Sequence, residues 1–188
     1  MKSWRSYLKA TEEIGRSIDL LALETCAKEL SAQIRNGNPI LTAGNGGSAT
    51  TADHFAADLF LMRKRVGKVC KTVCLNSHLG LNTALNNDLS FELALAHQVE
   101  SYAEDDPLII TFSASGNSPN LLNLLKKANL ENLRIWSFVG FDGGSTLKDA
   151  SPRVIHASTP LGEYGQVENL HLLLCHFLVD LLVEEFSV

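Results

Sequence analysis

The stretch Ala43–Leu59, AGNGGSATTADHFAADL, decides how the rest of the chain is read. It comes after Pro39-Ile40-Leu41-Thr42-Ala43, an apolar run with the length of a buried strand. Gly44, Gly46 and Gly47 then break the extended pattern, and so many glycines let backbone approach a ligand closely. Ser48 is placed to cap a helix, and residues 49–62 carry Phe55, Leu59 and Met62 at helical spacing. Strand, glycine turn and helix aim backbone N–H groups and a helix N-terminus at an anion or a polar sugar. His54 and Asp58, four residues apart, share a face of that helix.

Outward from this stretch the chain alternates. Residues 4–36 read as helical with a break near Gly15–Asp19, and Asn36-Gly37-Asn38-Pro39 stops the run. Strands are expected at 39–43, 70–75, 107–113, 134–139 and 152–157, and helices at 48–62, 91–102, 118–128 and about 164–186. Short apolar strands separated by helices predict an α/β fold, a doubly wound five-stranded parallel sheet with the N-terminal helices outside its core. Such sheets bind ligands beyond the carboxyl ends of their strands. The final helix, from Leu170 to Leu182, is too apolar for a one-sided surface helix and is expected in the core or a subunit contact.

A second loop repeats the design of the first. Strand 107–113 runs into Ser113-Ala114-Ser115-Gly116-Asn117-Ser118, with Ser118 as helix N-cap and Pro119 in the first turn. Hydroxyls, a glycine and a helix N-terminus converge there, which suits a phosphate. The loop lacks the lysine of the nucleotide-binding P-loop, so a nucleoside triphosphate is not the expected ligand. Two such loops, each ending a parallel strand, point to a phosphorylated polar ligand.

Composition sets the limits. At 188 residues, the chain reads as a single domain over 1–188, with 1–36 as a helical extension packing on it or at an interface. A net charge of −5 gives no electrostatic reason to expect nucleic acid. The basic run from Arg63 to Lys68 reads as a solvated loop ahead of a phosphate patch. No signal-peptide core and no membrane-length apolar stretch is apparent, so a cytoplasmic location without membrane contact is expected. Cys26, Cys70, Cys74 and Cys175 form no CxxC pair and read as buried thiols. Trp4, Trp136, His78, His97, His156 and His171 are expected to be structural.

AGNGGSATTADHFAADL, LNND ending at residue 88, FSASGNS and VGFDGG together closely resemble the sugar-isomerase (SIS) domain family, most of all its phosphoheptose isomerase branch. The resemblance spans about residues 20–186. It implies interconversion of sedoheptulose 7-phosphate and D-glycero-D-manno-heptose 7-phosphate through an enediol, in a homotetramer with sites at subunit interfaces. It gives the phosphate to Ser113, Ser115 and Ser118 with the backbone of Ala114, where the family usually has a hydroxyl residue. Asn45, Gly46, Gly47 and Ser48 would meet sugar hydroxyls, and Asn87 and Asp88 would line the site.

The family's acid–base and zinc positions fall on His54, Asp58, Glu168 and His176, with Asp58, Glu168 and His176 as the catalytic candidates. Asp58 stands for a glutamate and is one methylene shorter; Glu168 stands for a glutamine and adds a charge. Glu168 could therefore be the base, leaving Asp58 to hold metal. Spacing on a straight helix would pair Glu168 with His171, whereas the family pattern selects His176. The changed carboxylates also leave open an isomerase or epimerase of another heptose phosphate, or a non-catalytic scaffold that binds a partner protein.

Overall fold

The structure, a computed structural model, describes residues 3–146 and 153–187. Short apolar runs become five strands: β1 (Ile40–Ala43), β2 (Thr72–Cys74), β3 (Leu108–Ser113), β4 (Arg134–Val139) and β5 (Val154–His156). All pair in parallel, in the order β2-β1-β3-β4-β5. Parallel neighbours need crossover helices, so both faces of such a sheet are covered and the strands carry apolar residues on both sides. Ile40, Ile110, Phe112, Trp136 and Phe138 face one core cluster, and Leu41, Ala43, Ile109 and Ile135 face the other.

The helices are α1 (Trp4–Arg16), α2 (Leu20–Asn36), α3 (Gly47–Leu61), α4 (Arg63–Val66), α5 (Leu79–Asp88), α6 (Phe91–Val99), α7 (Pro119–Leu130) and α8 (Tyr164–Phe186). α2, α3 and α8 cover the first face; α6 and α7 cover the second. The chain runs from β1 outward to β2, then back across β1 to β3, β4 and β5. The direction reverses between β1 and β3. The helices after these strands, α3 and α7, leave to opposite faces and open a crevice at the strands' carboxyl ends.

Several expectations are corrected in detail. α1 has no buried residue and stands outside the core, but α2 buries Leu23, Cys26, Leu30 and Ile34 within it. Its boundaries obey the sequence signals: Asp19 Oδ1 accepts from Leu21 N at 2.9 Å and Ala22 N at 3.1 Å, and Gly37 ends it at φ 71°. β2 is shorter than 70–75 and starts at Thr72. The helix expected to 102 ends at Val99 and continues as a 3₁₀ turn, Glu100–Asp105. Pro152, the first residue of the expected 152–157 strand, lies outside the described residues. α5 has no counterpart among the expected helices, because no residue of LGLNTALNND is buried and no apolar stripe marks it. Asn82 ties it down instead, donating to Leu75 O at 2.9 Å.

α8 is long and apolar enough, at 23 residues and mean hydropathy 1.3, to cross a membrane by length and composition, which corrects the reading that no stretch is. Half of that window is buried inside the fold, as in a core helix of a soluble protein. Val167, Leu170, Leu174, Leu178 and Leu182 form its buried stripe.

Candidate active site

The first loop continues β1. Asn76 fixes its entry, accepting from Gly44 N and donating to Gly44 O, both at 3.0 Å. Gly46 takes φ 54°, which an L side chain rarely adopts, and is the N-cap of α3. Ser48 is therefore inside the helix and does not cap it. Among the described residues no side chain caps α3; Ala49 N is held by Gly46 O at 3.0 Å, and the N–H groups of Gly47 and Ser48 before it face the loop that a ligand would fill. Ser48 itself is buried.

The second loop continues β3, one strand over. Ser113 Oγ accepts from Gly116 N at 3.0 Å, and Ser115 Oγ accepts from Asn117 N at 3.2 Å. Each hydroxyl thus has its oxygen tied to backbone and its proton free to donate. Ser118 is the N-cap of α7, with Pro119 in the first turn, as the sequence indicates. Its side chain makes no capping bond, which leaves that hydroxyl to the crevice as well. The loop after β4 braces this turn: Thr146 Oγ1 donates to Gly116 O at 2.8 Å and Ser145 N donates to Asn117 Oδ1 at 2.8 Å. Gly116, at φ 62°, packs so closely on Gly143 that a Cβ would run into the Gly143 carbonyl.

Between the loops lies a cavity of about 280 Å³. Asn45, Gly46, Gly47 and Ser48 line it from one side, and Ser113, Ala114, Ser115 and Ser118 from the other. Phe112, Tyr164 and Glu168 complete the wall. Among the described residues no lysine or arginine lines it, so their attraction for an anion rests on N–H groups, hydroxyls and two helix N-termini. Glu168 is the one carboxylate among the described lining residues, and it sits so near Gly47 that a Cβ there would meet its oxygens. Tyr164, which sequence reasoning did not single out, is held edge-on by Phe141 at 5.0 Å between ring centroids. Only the folding of α8 back over the loop after β4 brings that pair together.

The four expected metal positions divide. His54 and Asp58, on successive turns of α3, meet His176 of α8. His54 Nε2 lies 3.1 Å from His176 Nε2 and 3.2 Å from Asp58 Oδ2, and His176 Nε2 lies 3.6 Å from the same oxygen. Two imidazoles and a carboxylate whose donor atoms lie within 4.8 Å of one another fit a three-ligand divalent-metal site with a position left open. Glu168 is not among them: two helical turns before His176, it reaches the cavity instead. A second cavity, of about 480 Å³, opens beside the cluster and is lined by Asp58, His176 and the Arg65–Asp180 ion pair, among others. Arg65 is thus tied to α8 at 3.0 Å, while the basic turn around it is exposed.

Asn87 and Asp88 end α5, exposed, with Asn87 Nδ2 donating to Asp88 Oδ1 at 3.0 Å, and they do not line the cavity within this chain. His171 is buried between Phe112 and Phe138, and among the described residues no group stands in hydrogen-bonding geometry to either ring nitrogen. Burial pulls its pKa down to about 4, against a smaller opposing pull from the Val139 backbone. The four cysteines are free and buried; burial pushes the Cys70 thiol up to about 12 and also raises the Cys26 and Cys175 thiols, which keeps those three unreactive.

A parallel sheet with order β2-β1-β3-β4-β5 and glycine- and serine-rich loops at its reversal point matches the architecture of a sugar-isomerase domain. The family model for the SIS domain matches residues 5–140. The chain belongs to this family and, within it, to the phosphoheptose isomerases. It is 33% identical to a phosphoheptose isomerase of Helicobacter pylori over 185 residues, covering 97% of this chain and 95% of the relative. It is 31% identical to one of Campylobacter jejuni over 186 residues, covering 98% and 97%. Among solved structures, a phosphoheptose isomerase from Neisseria gonorrhoeae superposes with a TM-score of 0.83 at 25% identity, covering 95% of this chain and 94% of that one. One from Francisella tularensis superposes at 0.84 with 24% identity, covering 96% and 94%, and supports the fold.

Proposed function

We propose that this chain is an aldose–ketose isomerase that converts sedoheptulose 7-phosphate to D-glycero-D-manno-heptose 7-phosphate. The observation that carries the reading is the cavity itself: two anion-cradling loops face each other, and one carboxylate lies between them. The phosphate occupies the Ser113, Ser115 and Ser118 hydroxyls and the Ala114 backbone. The sugar hydroxyls lie along Asn45, Gly46, Gly47 and Ser48. Glu168 takes the proton from C1 of the ketose while a second group protonates the oxygen on C2, giving the enediol. The O1 proton then leaves and the Glu168 carboxyl, its proton exchanged with solvent while the enediol lasts, protonates C2, which completes the aldose. His176, two helical turns from Glu168 and beside Asp58 at the second cavity, is the candidate for proton transfer to a ligand group that reaches it. With His54 and Asp58 it would hold zinc, and the ion would supply Lewis-acid polarisation of an oxygen placed there.

The exposed apolar residues Trp4, Leu8, Leu173 and Phe177 support assembly of several copies, and a cytoplasmic homotetramer is the form we propose. The test is turnover of sedoheptulose 7-phosphate by the purified protein in D₂O, with zinc and after chelation, monitored by NMR. The expected product is the aldoheptose 7-phosphate with deuterium at C2. Tight binding without turnover would replace the enzyme reading with that of a sugar-phosphate-binding scaffold.

A further inference from the structure

Asn120, in the first turn of α7, is almost completely buried, with 1% of its surface exposed. It faces Asn45 of the first loop in a reciprocal amide pair. Asn45 Nδ2 donates to Asn120 Oδ1 and Asn120 Nδ2 donates to Asn45 Oδ1, both at 2.8 Å. Asn120 Oδ1 also accepts from Leu121 N at 3.0 Å. A backbone N–H can bond only the oxygen end of an amide, so this third bond fixes which way Asn120 points. The pairing then fixes which way Asn45 points. An amide offers two N–H donors and two acceptor sites, and the pair uses one of each on Asn45. One donor and one acceptor are left on a residue that lines the cavity.

We infer that Asn120 is a positioning residue for sugar recognition: through the amide pair, the N-terminal turn of α7 sets the orientation in which Asn45 meets a ligand hydroxyl. A hydroxyl both donates and accepts, so it matches the remaining donor and acceptor of Asn45. The monoester dianion of a sugar phosphate offers only acceptors. The pair therefore reads the hydroxylated part of the ligand, while the serine loop holds the anion. This inference rests on the cavity being a sugar-phosphate site.

The experiment is a double-mutant cycle of Asn45→Ala and Asn120→Ala, read by calorimetric binding of sedoheptulose 7-phosphate and of inorganic phosphate. Asn120→Ala should weaken the heptose phosphate about tenfold, the scale of one to two lost hydrogen bonds. It should leave inorganic phosphate within about twofold, and it should cost nothing further in the Asn45→Ala background. Equal losses for both ligands, or additive losses in the cycle, would mean that Asn120 merely supports the fold and would overturn the inference. If the parent protein binds inorganic phosphate but no heptose phosphate, the functional reading fails on its own. The pair is then judged from the Asn45 side-chain NH₂ resonance of the ligand-free protein. That resonance should move in Asn120→Asp, which is isosteric, keeps the acceptor for Leu121 N and replaces the donor to Asn45 by a carboxylate oxygen. An unmoved resonance would overturn the inference.

Discussion

Acid should destabilise this protein through one buried side chain. His171 is 1% exposed, its ring lies 5.9 Å from that of Phe112 and 6.0 Å from that of Phe138, and its nitrogens find no hydrogen-bonding geometry among the described residues. Burial holds its folded-state pKa at about 4. In the unfolded chain the imidazole returns to about 6.5. Between these values the unfolded chain binds the proton that the folded protein refuses, so stability is complete above about pH 6.5 and falls as pH drops toward 4. The gap of about 2.5 in pKa, at about 1.4 kcal/mol each, is worth about 3 kcal/mol once both values have been passed. At pH 4.5 about 2.5 kcal/mol of it has been lost.

The assay is urea unfolding of the parent and of His171→Leu at pH 7.5 and 4.5. Carboxylates titrate alike in both proteins and cancel in the comparison. At pH 7.5 the variant should already match or exceed the parent, because two unpaired buried nitrogens are gone. At pH 4.5 the difference should widen in favour of the variant by about 2.5 kcal/mol. Parallel stability curves, with the same difference at both pH values, would refute the argument that His171 is held neutral by burial. The consequence reaches the site, since Phe112, which carries one face of this packing, also lines the cavity.

Three further outcomes are expected. Ser113→Ala combined with Ser115→Ala removes two ligand donors and two acceptors of loop N–H groups, and should raise KM for the sugar phosphate by about 30- to 100-fold, with a smaller change in kcat; steady-state kinetics measure it. Gly116→Ala places a Cβ at positive φ against the Gly143 carbonyl and should lower stability by about 1–3 kcal/mol while weakening phosphate binding, seen by thermal melting and calorimetry. Metal content measured after loading and dialysis should drop to background in His54→Ala and His176→Ala but persist in Glu168→Gln, whose turnover should fall at least about 100-fold. A Glu168→Gln protein that loses its metal would return Glu168 to the ligand set.

The sequence by itself determined the strands, the two loops and the family. Their signals are local: apolar runs of strand length, glycines where backbone must turn with positive φ, as at Gly46, and serines before Ser118 and Pro119 at a helix start. Such patterns depend on a residue and its near neighbours. α5 escaped because a helix with no buried residue leaves no apolar period to read. The assignment of Ser48 as a cap failed because glycine can occupy that position without a side chain, and only the backbone angles tell the two apart.

The tertiary structure alone decided how the functional residues are grouped. Glu168 and His176 share one helix, and in sequence they belong to one expected metal set. Eight residues of straight helix span about 12 Å, so rigid α8 delivers them to different neighbours. Glu168 reaches the glycine loop, and His176 reaches His54 and Asp58. The pairing of Asn45 with Asn120 is likewise invisible in the chain, because 75 residues separate them and only the adjacency of β1 and β3 closes the distance. Local chemistry writes the loops into the sequence, whereas the meeting of side chains from distant elements is set by how the helices pack on the sheet.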